Sequence, residues 1–359
     1  MKEIIDDITS ANTLSGDFYS SDLIFNQVRL KIFEKSWQYI ISDDDLKLDN
    51  SVVPFILLDQ FISEPLLLLK NNSEIVCMSN VCTHRGNVLI QEKTIIQKNI
   101  TCGYHGKSFN SEGEFVFMPE TDGMKNFPCV NDNLTHIKLE QWFQFLFVAL
   151  DPIVPFNVII NDIQKRISWM PIGDFVFRED LSRSYKIDAN WALYCDNYLE
   201  GFHIPFIHKD LNATLDYKKY DVEIFEYSNL QIGYAEKDDI CFDIPKSSKD
   251  YGQNIAAYYF WIYPNMMFNF YPWGLSVNIV KPLKKNLTKV EFKSYVWDEN
   301  KRQSGAGSIL DKVEKEDEEI VENVQKGVKS RFYKNGRFSP KMEKGVHHFH
   351  KLISNFILT

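Results

Sequence analysis

Two short segments of one shape constrain this chain most: Cys82-Thr83-His84-Arg85-Gly86 and Cys102-Gly103-Tyr104-His105-Gly106. Each sets a thiol and an imidazole beside a glycine. Seventeen residues, 85 to 101, separate His84 from Cys102, enough for a hairpin that brings both loops together. The flanking sequence can build such a frame. From about residue 40 it runs in short apolar stretches broken by Asn, Asp, Ser and Gly: SVVPFILLD, EPLLLLK, EIVCMSN, KNITCGY, GEFVFMP, HIKLE and WFQFLFVALD. That texture predicts a small, mostly antiparallel β domain ending near Pro152.

Two cysteines and two histidines brought together suit either a structural zinc ion or a [2Fe-2S] cluster with cysteines on one iron and histidines on the other. The glycines favour the cluster. A zinc site asks for no particular residue after the histidine, whereas Gly86 and Gly106 let backbone approach a group whose sulfides take N–H donors.

A second constellation lies in Trp191–His208, WALYCDNYLEGFHIPFIH. Glu200 stands three residues before His203, and His208 follows five residues later. Neutral imidazoles and a carboxylate suit a divalent first-row metal, and two histidines with one carboxylate are the ligand set of non-heme iron(II) oxygenases. At about 100° per residue, His203 and His208 point roughly 140° apart on an undistorted helix. Pro205 is expected to bend the chain there, pushing Ile204 out of helical geometry. The same pattern also fits a buried helix end with two core histidines.

A further carboxylate comes from a long helix expected over Ile309–Tyr333, after a flexible loop at Ser304–Ser308. Leu310, Val313, Ile320, Val324 and Val328 form an apolar stripe that also contains Asp317. A carboxylate on a buried face must be paired or bound to a cation. Asp317 is therefore assigned as the third iron ligand, with Glu316 as the alternative.

The rest of the chain fills in around these motifs. Ser21–Trp37 reads as one helix, and residues 220–300 alternate as antiparallel strands. The aromatic run Tyr258–Trp273 reads first as sheet core and second as a pocket wall able to hold a quaternary ammonium by cation–π attraction. The histidines of GVHHFHKLI are expected to flank a closing helix and not to bind metal. With 359 residues, 44% hydrophobic and 25% charged, the chain can build two domains, and a net charge of -9 argues against nucleic acid or an anionic membrane as main partner. The N-terminus lacks a secretory pattern, and the apolar runs are too short or interrupted to span a bilayer. Six cysteines in a chain read as cytoplasmic are expected to be thiols or metal ligands, not disulfides.

The whole pattern resembles a known family. C-x-H-R-G, the seventeen-residue spacing, C-x-Y-H-G and the following Phe109-x-x-x-Gly113-x-Phe115 are similar to the Rieske domain of the Rieske non-heme iron oxygenases. Lys107 departs from it, because many members carry tryptophan there. Asn190-Trp191 and the later Asn197-Tyr198-x-Glu200-x-x-His203-x4-His208 resemble the same family's catalytic motif, as does the run from Glu316-Asp317 to Gly327. Glu200 and the tail from 324 to 337 are closest to the choline, carnitine and glycine betaine monooxygenase branch.

The resemblance implies an α+β fold: a Rieske antiparallel β domain at 41–153, and a helix-grip-like catalytic domain of curved antiparallel sheet and helices at 154–359, to which an N-terminal helix at 1–40 belongs. It implies a [2Fe-2S] cluster on Cys82, His84, Cys102 and His105, and a mononuclear iron on His203, His208 and Asp317. Glu200 would bridge electron transfer between subunits of a head-to-tail homotrimer, with Asp196 as fallback. The implied function is that of a terminal oxygenase component using O2 and electrons from a separate NAD(P)H-dependent reductase to hydroxylate a small organic substrate, a quaternary ammonium compound in this branch. Alternatives are an aromatic-ring dioxygenase, a natural-product-tailoring oxygenase, or, outside enzymes, a Rieske electron-transfer or zinc-stabilised binding protein. No G-x-G-x-x-G or Walker loop is present for direct use of NAD(P)H.

Overall fold

The computed structural model describes residues 2–72, 74–208, 221–235, 240–302 and 310–359. The loop expected at Ser304–Ser308 lies outside these. The chain forms two compact units, residues 37–152 and residues 1–36 with 153–359.

The smaller unit is built from strands β1 (Gln38–Ser42), β2 (Ser51–Leu57), β3 (Glu64–Asn71), β4 (Glu74–Ser79), β5 (Thr94–Ile95), β6 (Ile100–Thr101), β7 (Ser108–Phe109), β8 (Phe115–Phe117), β9 (His136–Trp142) and β10 (Phe145–Ala149). One sheet runs in the order β1-β10-β9-β4-β3-β2-β5, and β6-β7-β8 forms a second. All the pairings are antiparallel. Leu66 to Leu69 of β3 are fully buried; both faces of that strand are covered, so its sequence does not alternate. Val52, Leu67, Met78, Ile100 and Phe109 pack in one cluster with Cys82 and Cys102, which seats both cysteine loops on the core.

The larger unit opens with helix α1 (Asp22–Lys31), whose N-cap Ser21 accepts a bond from Ile24 N–H. The helix stops six residues short of the expected Trp37. Ser36 Oγ donates to the Ile32 carbonyl at 2.5 Å, and a tight 3-10 turn, Phe33–Lys35, replaces the last α-turn. Ile153 N–H donates to the Lys35 carbonyl at 3.2 Å, so the chain re-enters this unit beside the point where it left.

Helices α2 (Phe156–Ile167), α3 (Trp191–Tyr198), α4 (Ile204–Ile207), α5 (Leu310–Gly327) and α6 (Lys344–Leu358) accompany strands β11 (Val176–Ile187), β12 (Asp221–Ile224), β13 (Ser228–Tyr234), β14 (Ile255–Ile262), β15 (Met266–Tyr271), β16 (Gly274–Lys284) and β17 (Leu287–Val296). The sheet is antiparallel, in the order β11-β17-β16-β15-β14-β13-β12. Among the described residues, no helix is long and apolar enough to cross a membrane.

Two details differ from the sequence reading. The break between the site residues precedes Pro205: α3 ends at Tyr198, and Ile204 and Pro205 form the first turn of α4. A proline is harmless there because that N–H has no intrahelical partner. In α5 the stripe is rotated. Asp317, Val321, Gln325 and Val328 are buried, while Val324 is 43% exposed. The steps 317, 321 and 325 follow one i+4 ridge, and Gln325 is tolerated on it because its Oε1 accepts the Asn190 N–H at 2.7 Å. The helix ends at Gly327, and turns carry the backbone on to Tyr333.

Candidate metal centres

In the smaller unit the two cysteine loops are near copies. Cys82 N–H donates to the Asn87 carbonyl and Cys102 N–H to the Lys107 carbonyl, both at 2.8 Å; Gly86 and Gly106 return to the cysteine carbonyls at 3.0 Å. Both glycines have left-handed φ, 71° and 73°, where an L side chain is strained. The turn itself therefore requires the glycine.

The loops aim backbone N–H groups of His84 and Arg85 at the Cys82 sulfur, and those of Tyr104 and His105 at the Cys102 sulfur. Burial pushes the Cys82 thiol up. It would do the same to Cys102, but the Tyr104 and His105 N–H groups, the Cys82 thiol and Asn87 Nδ2 outweigh it and draw that thiol down. The His84 and His105 rings lie edge to face with centroids 4.8 Å apart. Two sulfurs on one side and two imidazoles on the other, with N–H donors trained on the sulfurs, fit a cluster of mixed ligation.

Lys107, in the place where tryptophan is common, is 1% exposed. Its ammonium pairs with Asp132 at 2.8 Å and stands 5.3–5.8 Å from the ring centroids of Phe109, Phe115 and Phe127. A cation ringed by three aromatic faces fills the volume a large apolar side chain would fill.

In the larger unit, α3, the turn after it, α4 and α5 converge. Asn190 caps α3 by accepting the Ala192 N–H. Beyond Tyr198 the Glu200 carboxylate accepts the backbone N–H groups of Phe202 and His203, shaping the turn, and lies 2.7 Å from His203 Nδ1. Glu316 Oε2 lies 2.7 Å from His208 Nδ1. With each Nδ1 held by a carboxylate, both Nε2 atoms face Asp317 Oδ1, at 3.6 Å from His203 and 2.9 Å from His208. Donor atoms of His203, His208 and Asp317 all fall within 4.8 Å of one another. Asn197 Nδ2 holds Asp317 Oδ1 at 3.0 Å. Burial disfavours a charged His208, but Asp317 and Glu316 outweigh it and raise its pKa. Two imidazoles whose outer nitrogens are fixed by carboxylates, facing a third carboxylate, fit a divalent metal with open positions.

His203, His208 and Asp317 line one pocket. One wall is a row crossing four strands: Gln231 pairs with Tyr259, Tyr259 with Asn269, and Asn269 with Ser276. Strand alternation thus divides the aromatic run. Tyr259 and Tyr271 line the pocket, while Phe260, Phe268 and Phe270 are fully buried and Tyr258 bonds Asp250 at 2.8 Å. The facing wall comes from α3 and α5 and includes Tyr194 and Glu314, which are hydrogen-bonded to each other. Burial first, and then the Asp317 carboxylate, push the Glu314 carboxyl up to about 8.

A family model described as the ring hydroxylating alpha subunit (catalytic domain) matches residues 176–358, which is 183 of 359 positions. The chain belongs to this family. A second model, the Rieske [2Fe-2S] domain, matches residues 36–128 of this ring-hydroxylating α subunit. Among curated relatives, choline monooxygenase of Beta vulgaris is 26% identical over 95% of this chain and 76% of its own length. The carnitine monooxygenase oxygenase subunit of Escherichia coli K12 is 25% identical over 95% and 93%. In fold, the chain is similar to the quaternary ammonium Rieske monooxygenase CntA in complex with L-carnitine (TM-score 0.78, 22% identity, 99% of each chain) and to naphthalene 1,2-dioxygenase from Rhodococcus sp. (TM-score 0.76, 16% identity, 96% of this chain and 94% of that one).

For this α subunit, the other candidates named from sequence occupy distinct places. Asp196 is engaged by His350 Nε2 and Tyr19 OH, both at 2.8 Å. Glu316 stands on the outer nitrogen of His208 and not among the three clustered donors. His347 bonds the Ile5 carbonyl and His348 the Glu226 carbonyl, so the C-terminal histidines serve α6 packing. None of the six cysteines is in a disulfide. Sequence reasoning missed the pocket row and Glu314. Glu314 was legible in principle, three residues before Asp317 on one helix face; the row depends on register between distant strands.

Proposed function

We propose that this chain is the terminal oxygenase component of a multicomponent monooxygenase acting on a quaternary ammonium substrate. The observation that carries the reading is the pair of imidazoles whose Nδ1 atoms are held by Glu200 and Glu316, so that both Nε2 atoms face Asp317 beneath a pocket walled by Tyr259 and Tyr271. The names of the choline and carnitine monooxygenase relatives support the substrate class.

In this reading, residues 37–152 are the electron-entry domain, with Cys82, His84, Cys102 and His105 holding the cluster. Residues 1–36 and 153–359 form the catalytic domain, with His203, His208 and Asp317 holding iron. When bound, these groups supply one-electron transfer and activation of O2. The protein's own part is to orient and to exclude. Glu200 fixes the ring of His203 through Nδ1, and Glu316 does the same for His208. Asn197 holds Asp317 by one oxygen, and Tyr259 and Tyr271 line the space for the cationic head. We assign Glu200 as the residue through which a neighbouring subunit's electron-entry domain reaches His203, and a head-to-tail homotrimer as the assembly.

The balance is one substrate C–H, O2, two electrons and two protons giving a C–OH and water, with NAD(P)H acting only through a partner reductase. Hydroxylation next to nitrogen then breaks the C–N bond, leaving an aldehyde and a smaller amine. We place the enzyme in the cytoplasm. Purified enzyme with a reductase, NADH and a panel of quaternary amines tests the reading: substrate-dependent O2 uptake with aldehyde or aldehyde-hydrate release supports it, and uptake confined to aromatic hydrocarbons overturns it.

A further inference from the structure

The pocket contains a carboxylate that the reaction described above does not use. Glu314 lies one turn before Asp317 on α5, lines the pocket, and accepts a hydrogen bond from the Tyr194 hydroxyl. Among the described residues, no lysine or arginine lines this pocket.

The neighbouring polar groups are satisfied among themselves. Tyr198 OH donates to Asn269 Oδ1 at 2.5 Å, Gln231 Nε2 to the Tyr198 carbonyl at 2.7 Å, and Ser276 Oγ to Asn278 Oδ1 at 2.8 Å. Tyr259 and Tyr271, which line the same pocket, stand edge to face with centroids 5.9 Å apart.

Resting on the quaternary ammonium reading, we propose that Glu314 is the counter-ion of the substrate's ammonium group, and that the pocket selects a cation without a carboxylate, such as an amino alcohol, over a zwitterionic betaine or carnitine. A half-buried carboxylate with no cationic partner among the described residues is unfavourable until a cation reaches it, and a tetraalkylammonium supplies that charge without needing a hydrogen bond. Tyr259 and Tyr271 line the same pocket, where an aromatic ring attracts a cation. A zwitterion brings the cation together with a second anion. Beside Glu314 that anion meets repulsion, and among the described residues no lysine or arginine lines the pocket to receive it.

The i−3 position of Glu314 before Asp317 places head group and metal ligand on one helix face, so a methyl or methylene next to nitrogen would lie toward the three clustered donors.

The test is calorimetric binding to the iron-loaded enzyme of three probes: choline, glycine betaine and the neutral isostere 3,3-dimethylbutan-1-ol. Choline should bind at least about tenfold more tightly than either of the others. Glu314→Gln, which preserves the size of the side chain and a partner for Tyr194, should weaken choline about tenfold and leave the neutral isostere unchanged. Glu314→Asp should keep the preference for choline over the isostere, and an unaltered cluster spectrum reports that each variant is folded. Betaine binding as tightly as choline, or choline binding untouched by Glu314→Gln, overturns the proposal. If betaine or carnitine is bound and oxidised while choline is not, the quaternary ammonium reading stands and this inference alone falls. If no quaternary amine binds or turns over, both fall together.

Discussion

Glu316 Oε2 lies 2.7 Å from His208 Nδ1, on the side of the ring away from Asp317. A carboxylate on that nitrogen fixes the tautomer, presents Nε2 to the metal position and raises its basicity. Glu200 stands in the same relation to His203. Glu316→Ala should therefore weaken iron retention about 10- to 100-fold. Iron and sulfide counts after dialysis against graded chelator check this: mononuclear iron should be lost at lower chelator concentrations than in the wild type, with sulfide constant.

Asp317→Ala removes the carboxylate that both Nε2 atoms face. Turnover should be abolished and the mononuclear iron lost, while the visible spectrum of the cluster stays as in the wild type. Retained activity would remove Asp317 from the ligand set.

Glu200→Gln keeps the shape of the side chain and an oxygen able to accept the backbone N–H groups of Phe202 and His203, which the carboxylate accepts here. Both metals should remain. Oxidation of the pre-reduced cluster on mixing with substrate and O2 should slow by orders of magnitude in stopped-flow measurements; a normal rate would mean that electrons do not pass through Glu200.

Acid should destabilise the larger unit through His348. Burial lowers its pKa to about 4, and its ring lies edge to face with Trp261 at 6.3 Å. A folded value below the unfolded one means that the unfolded chain binds more protons between about pH 4 and 6.5. Stability is complete above that window and falls as pH drops through it. Between pH 7 and 5 the wild type should lose on the order of 1–2 kcal/mol more than His348→Gln in denaturant unfolding. Equal losses in the two proteins would contradict the assignment.

The sequence made some of this legible because local chemistry decides it. Cysteine, histidine and glycine at fixed spacing define the two loops whatever the strands around them do, and an acid set within the apolar stripe of a helix singles out Asp317. The turn before His203 was misread because Pro205 is the visible breaker, yet the Glu200 carboxylate, bonding backbone two and three residues on, makes the turn. Val324 and Val321 are both apolar. Only packing tells which one faces inward, and it buries Val321. The row from Gln231 to Ser276 depends on the pairing of four strands, which spacing along the chain does not encode.

The central claim is that one chain carries two separate iron sites. Anaerobically purified protein, with iron and acid-labile sulfide counted per chain and EPR recorded on the reduced sample, tests it most directly. The account predicts a red-brown protein with about three irons and two sulfides per chain and a Rieske-type signal on reduction. A colourless protein carrying zinc and no sulfide would contradict it, leaving Cys82, His84, Cys102 and His105 as structural ligands.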